Sequence, residues 1–99
     1  MLVHTVFFWL NKDLPGDKIT EFRMGLETLT KIESAEAVYI GTPAATAERP
    51  VIDTSYDFCL TVVCKDVAAH DQYQIDPRHK AFIEQFKDCW KKVKIYDAD

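Results

Sequence analysis

The chain has 99 residues, 47% of them hydrophobic and 28% charged, with only three glycines and four prolines, which points to one globular domain over residues 1–99 and excludes a repeat array or a low-complexity tail. Sixteen acidic against twelve basic residues leave a net charge of −4, so neither nucleic acid nor an anionic membrane surface is expected as the principal partner. A chain this short buries only about 60–65% of the surface its unfolded form exposes, and a large internal cavity would need help from a partner.

Residues Val3 to Leu10 are rich in β-branched and aromatic types and read as a strand. One face carries Leu2, His4, Val6, Phe8 and Leu10, the other Val3, Thr5, Phe7 and Trp9, and both are almost wholly apolar. The stretch has no basic leader and no small-residue cleavage site, and no run approaches the ~20 apolar residues of a membrane span. A soluble, cytoplasmic protein is the expectation.

Leu14-Pro15-Gly16-Asp17 breaks the chain and offers an N-cap, after which Ile19, Phe22, Leu26, Leu29 and Ile32 recur at helical steps down to Ser34. Ala37 to Ile40 reads as a short strand ending at Gly41, and Thr42 to Thr54, with two prolines, as a loop. Tyr56 to Cys64 is a second strong strand that again has no properly polar face. Asp66 can cap a short helix from Val67 to about Gln74. Asp76-Pro77 then caps a last helix, whose buried stripe is expected to be Phe82, Phe86, Cys89 and Trp90, and Val93 to Asp97 closes the chain as a strand.

The order βαββαβ predicts an α+β, ferredoxin-like sandwich: a four-stranded antiparallel sheet with the helices on one face and the first and third strands in the centre. Those are the two strands that are apolar on both sides. A sheet with a solvated face alternates apolar and polar residues. These strands do not, and a second copy of the chain, packed sheet to sheet, is the economical cover.

The same topology brings His4, Tyr73, His79 and Asp97 to one end of the sandwich, provided that His4 faces the helices. Burial and a helix N-terminus both disfavour a charged imidazole, which makes His79 the candidate base. His4 or Tyr73 could donate to a substrate oxygen, and Asp97 could orient an imidazole. Against a catalytic role, a strand histidine is most often a core residue satisfied by one partner. His70 is expected to face solvent. Tyr39 and Tyr56 are read as packing residues, and Glu27, Glu33 and Glu36 as solvating ones. No metal and no cofactor is expected, because His4, His79 and Asp97 make an incomplete ligand set and no Gly-rich loop is present. Cys59, Cys64 and Cys89 form no C-x-x-C pair and read as free thiols.

Several segments carry a family resemblance: His4-Thr5-Val6-Phe7-Phe8, Ile40-Gly41-Thr42-Pro43, Arg49 through Asp53-Thr54-Ser55-Tyr56-Asp57-Phe58, Tyr73-Gln74-Ile75-Asp76-Pro77-Arg78-His79, and Trp90 to Asp97. Together they resemble the stress-responsive α/β-barrel, or Dabb, family across nearly the whole chain. The resemblance implies a ferredoxin-like subunit that forms a dimeric α/β barrel. The family includes plant stress-associated proteins, bacterial members of unknown role, and a plant polyketide cyclase that closes an aromatic ring by aldol condensation. The cyclase site resembles the positions filled here by His4, Tyr73, His79 and Asp97. Glu27 stands where the cyclase has an aromatic residue, and the loop from Thr42 to Thr54 differs.

Two functions follow as expectations. The first is binding of a small apolar or aromatic ligand in a sheet-helix cleft, with His4 and His79 as polar anchors and Val6, Phe8 and Phe82 as apolar contacts. The second is an acid/base enzyme acting on a carbonyl compound, with His79 as base.

Overall fold

Period-two burial along the first strand sets the architecture. In the computed structural model, which describes residues 1–99, β1 (Leu2–Leu10) alternates without exception: Leu2, His4, Val6, Phe8 and Leu10 are buried and the residues between them half-buried. The expected elements follow as α1 (Gly16–Thr28), continued by a 3₁₀ turn over Leu29–Lys31, then β2 (Ala35–Gly41), β3 (Phe58–Cys64), α2 (Val67–Ile75), α3 (Pro77–Phe86) and β4 (Trp90–Ala98). The strands form one sheet in the order β2-β3-β1-β4, and every neighbouring pair is antiparallel. This is the ferredoxin-like α+β sandwich, with β1 and β3 central. No helix is long and apolar enough to cross a membrane.

The core lies between the sheet and the helices. Phe8, Leu10, Phe58, Leu60 and Val62 from the sheet meet Phe22, Leu26, Tyr73, Phe82 and Phe86 from the helices. Two caps expected from sequence are made: the Asp66 carboxylate accepts from the Ala69 amide at 2.9 Å and the Asp76 carboxylate from the Arg78 amide at 2.8 Å. The expected cap of α1 is not made. That helix starts from Pro15, whose side chain has nothing to donate or accept, and Asp17 sits in the first turn, where its charge favours the helix dipole.

One boundary differs more. Trp90 and Cys89 do not belong to the stripe of the last helix, which stops at Phe86, and Trp90 instead opens β4. Simple alternation would turn Trp90 away from the helices, because Lys92 pairs with Trp9 on the far side of the sheet. A bulge between Trp9 and Leu10 shifts the register so that Trp90 pairs with Leu10. The indole therefore reaches the core after all, 5.3 Å from the Phe8 ring and 6.2 Å from that of Phe82, measured between centroids. Its apolar character is used where the sequence predicts, by a strand instead of a helix.

Helices α1 and α3 approach closely at Gly25, where a Cβ would overlap the Phe86 ring. Gly25→Ala is expected to lower the thermal midpoint. Alanine gains about 1 kcal/mol in helix propensity over glycine, but overpacking against a buried ring costs about 1–3 kcal/mol. A raised midpoint in a thermal melt would show that the Phe86 ring yields freely.

The far face of the sheet is partly clothed by the segment before β3. Tyr56 packs edge-on against Phe7 at 5.0 Å, and Trp9 donates its indole N–H to Ser55 at 3.1 Å. Asp57 ties the end of β1, accepting from the Leu10 amide at 2.7 Å. Val3, Thr5, Cys59, Thr61 and Val63 remain half-buried on this face, and Tyr39 is 63% exposed.

Candidate functional site

His4 faces the helices, and the condition on which the predicted cluster depended is met: the residue is only 2% exposed. Its register partner on β4 is Asp97, and residues opposed across an antiparallel pair share a face of the sheet. The His4 Nδ1 lies 2.5 Å from the Asp97 Oδ1, with the imidazole buried and the carboxylate half-exposed. Asp97 thus orients the His4 ring and directs its other nitrogen elsewhere.

Helix α2 brings Tyr73 above this pair. The Tyr73 ring centroid is 5.9 Å from that of His4 and 5.0 Å from that of His79, which stands in the first turn of α3. Tyr73 is fully buried, and its hydroxyl has no hydrogen-bond partner. Burial pushes the phenol well above its ordinary pKa, with the Cys64 and Asp76 charges adding to the effect. The group stays protonated and able to donate. Burial likewise lowers the pKa of His79, helped by the neighbouring imidazoles of His4 and His70, while the Gln74 backbone and Asp76 oppose the shift.

The four predicted site residues are therefore assembled at one end of the sandwich. The assignment of His70 to solvent is wrong. Its side chain is only 15% exposed, its ring lies 4.9 Å from that of His4, and its Nε2 is 3.9 Å from the Asp97 Oδ1. The signal was present in the sequence. His70 and Tyr73 are three residues apart on one helix, and side chains at that spacing share a face.

Val6 and Phe8 lie in closed core, 5% and 3% exposed, where Phe8 touches Phe22, Phe82 and Trp90. They form the packed floor beside His4 and not the open wall of a cleft. Phe82, also buried, borders a shallow hollow of about 420 Å³ between α1 and α3, together with Met24, Gly25, Arg78 and Phe86. Tyr39 is not the packing residue expected, since it projects from the far face, whereas Tyr56 is. Cys59, Cys64 and Cys89 are free thiols, and burial raises the pKa of the latter two.

The whole chain, residues 2–99, matches the family model described as the stress responsive A/B barrel domain, Dabb. The chain belongs to the Dabb family. No curated protein matches it. Solved structures share the Dabb fold at low identity. An Arabidopsis thaliana protein is 19% identical over 100% of this chain and 94% of its own, with a TM-score of 0.81. A dimeric ferredoxin-like protein of unknown function from Thermobifida fusca is 17% identical, covering 98% of this chain and 88% of that one, at a TM-score of 0.78. The hydroxynitrile lyase of Passiflora edulis is also 17% identical, over 98% and 90% of the two chains, at a TM-score of 0.81. At such identities the likeness establishes a common Dabb fold, and function rests on the residues of the site.

Proposed function

We propose that this Dabb protein is a cytoplasmic homodimer that binds a small, partly aromatic ligand through a carbonyl or hydroxyl oxygen at the Tyr73 hydroxyl, between His4 and His79. The observation that carries the reading is that hydroxyl, fully buried and without a partner. A buried polar group left unpaired costs about 1–3 kcal/mol, and a ligand oxygen would remove that cost. The half-exposed Asp97 and half-buried His79 mark the side from which it would enter, while Val6, Phe8 and Phe82, packed in the core, would hold the floor of the site without touching the ligand. Dimerisation is supported by the apolar outer face of the two central strands and by the dimeric relative from Thermobifida fusca.

A second reading, proton transfer on a carbonyl compound as in polyketide-cyclase-like aldol chemistry, has its own support. Burial keeps the His79 imidazole neutral and the Tyr73 phenol protonated, which are the states a base and an oxygen-stabilising donor need. In such a step His79 removes a proton alpha to the carbonyl while Tyr73 donates to the developing enolate oxygen. The Passiflora enzyme adds that this scaffold can carry catalysis.

A thermal-shift panel of aromatic ketones, aldehydes and mandelonitrile tests the site. At least one compound is expected to raise the midpoint of the wild type, and both Tyr73→Phe and His79→Ala, checked as folded by circular dichroism, should lose that rise. Equal stabilisation of wild type and both variants, or none in any, would sink the assignment.

A further inference from the structure

We propose that His4, His70 and Asp97 form a binding site for a divalent transition-metal ion such as zinc. The three residues come from β1, α2 and β4, and one ligand atom from each lies within 4.8 Å of the other two. Two imidazoles and one carboxylate are donors suited to zinc and its first-row neighbours, and poorly suited to magnesium or calcium.

The surroundings of His70 carry the argument. Its Nδ1 lies 3.2 Å from the Asp71 carboxylate, a partner that draws the ring proton to that nitrogen. Nε2 is then left with a lone pair. That atom is buried, has no hydrogen-bond partner, and faces the Asp97 oxygen across 3.9 Å. In the neutral imidazole that lone pair faces a carboxylate oxygen, an arrangement that a cation between the two, a metal ion in place of a second ring proton, makes favourable. A carboxylate on the far nitrogen of an imidazole is also the usual support of a metal-ligating histidine.

The spacing is set by the two imidazoles, whose donor atoms stand up to 4.8 Å apart and must close by about 1.5 Å through a turn of the His70 side chain. Donors about 2.0–2.2 Å from a tetrahedral zinc stand about 3.3 Å from one another. The Asp97 oxygen, at 2.5 Å from His4 and 3.9 Å from His70, then shifts by less than about 1 Å to complete the set. Asp97 can do so, because its side chain is half-exposed on an edge strand, whereas His4 is held in the core. Three protein ligands leave a fourth position open towards solvent on the Asp97 side, the arrangement of sites that bind an exchangeable group.

The metal site shares His4 and Asp97 with the ligand-binding end but does not rest on that reading. Zinc titrated into metal-free protein and followed by calorimetry is expected to bind saturably, one ion per chain. His70→Ala and Asp97→Asn should abolish saturable binding, and Asp71→Asn should weaken it about 10- to 100-fold. Tyr73→Phe, which removes the proposed oxygen anchor, should bind zinc as the wild type does, so the two readings fail separately. If His70→Ala does not fold, Asp97→Asn on the edge strand decides. No saturable binding by the wild type, or equal affinity in the folded ligand variants, overturns the proposal.

Discussion

Val63→Glu is expected to split the proposed homodimer into folded monomers. Light scattering at micromolar concentration should give the wild type about twice the 11.4 kDa chain mass, and the variant a single chain. Val63 lies on the outer face of central strand β3, opposite Val3 on one side and Ala37 on the other. It is half-buried in the isolated chain, where a carboxylate can still reach water. Covered by a second sheet, the same carboxylate loses its hydration, and burial of an unpaired charge costs several kcal/mol, twice over in a two-fold interface. A loss of about 4 kcal/mol raises the dissociation constant about a thousandfold. Val63→Thr, close in shape and uncharged, should remain dimeric. A wild type that scatters as 11.4 kDa would remove the dimer and with it the account of the two-sided strands.

Phe22→Ala should cost about 3–5 kcal/mol of stability, a large part of the ~5–15 kcal/mol typical of a domain. Phe22 is fully buried at the meeting point of sheet and helices. Its ring centroid is 5.2 Å from that of Phe8, 5.5 Å from Phe58, 5.6 Å from Phe82, 5.7 Å from Phe86 and 6.1 Å from Trp90. Removing the ring leaves a void bounded by other rings, which cannot collapse without disturbing their own edge-on, tilted and stacked contacts. Met24→Ala, two residues away on the exposed side of α1, should change stability by less than about 0.5 kcal/mol. Urea unfolding at one fixed protein concentration measures both, since self-association would link stability to concentration. Equal effects of the two substitutions would place the core elsewhere.

Much of the fold was legible because its signals are local. Period-two runs mark β1 and β3, three- and four-residue steps mark α1, and aspartates start α2 and α3 as their caps. The failures also have local causes. The Leu14-Asp17 stretch suggests a side-chain cap for α1, but proline takes the capping position. Trp90 fitted a helical stripe because a bulge gives a strand residue the inward direction that simple alternation denies it. His70 looks solvent-facing as a polar residue on a short helix, although its three-residue spacing from Tyr73 places both on one face.

The residue pattern was enough to specify the order of elements, the two strands apolar on both sides, and an end of the sandwich where His4, Tyr73, His79 and Asp97 could gather. It follows from the periods of strands and helices, which repeat within a few residues. Tertiary structure alone decided that His4 points inward, that Asp97 grips its ring, and that the α2 face shared by His70 and Tyr73 settles against them. These relations span 93 residues between His4 and Asp97. They depend on strand register and on how α2 settles over the sheet, and no local pattern encodes either.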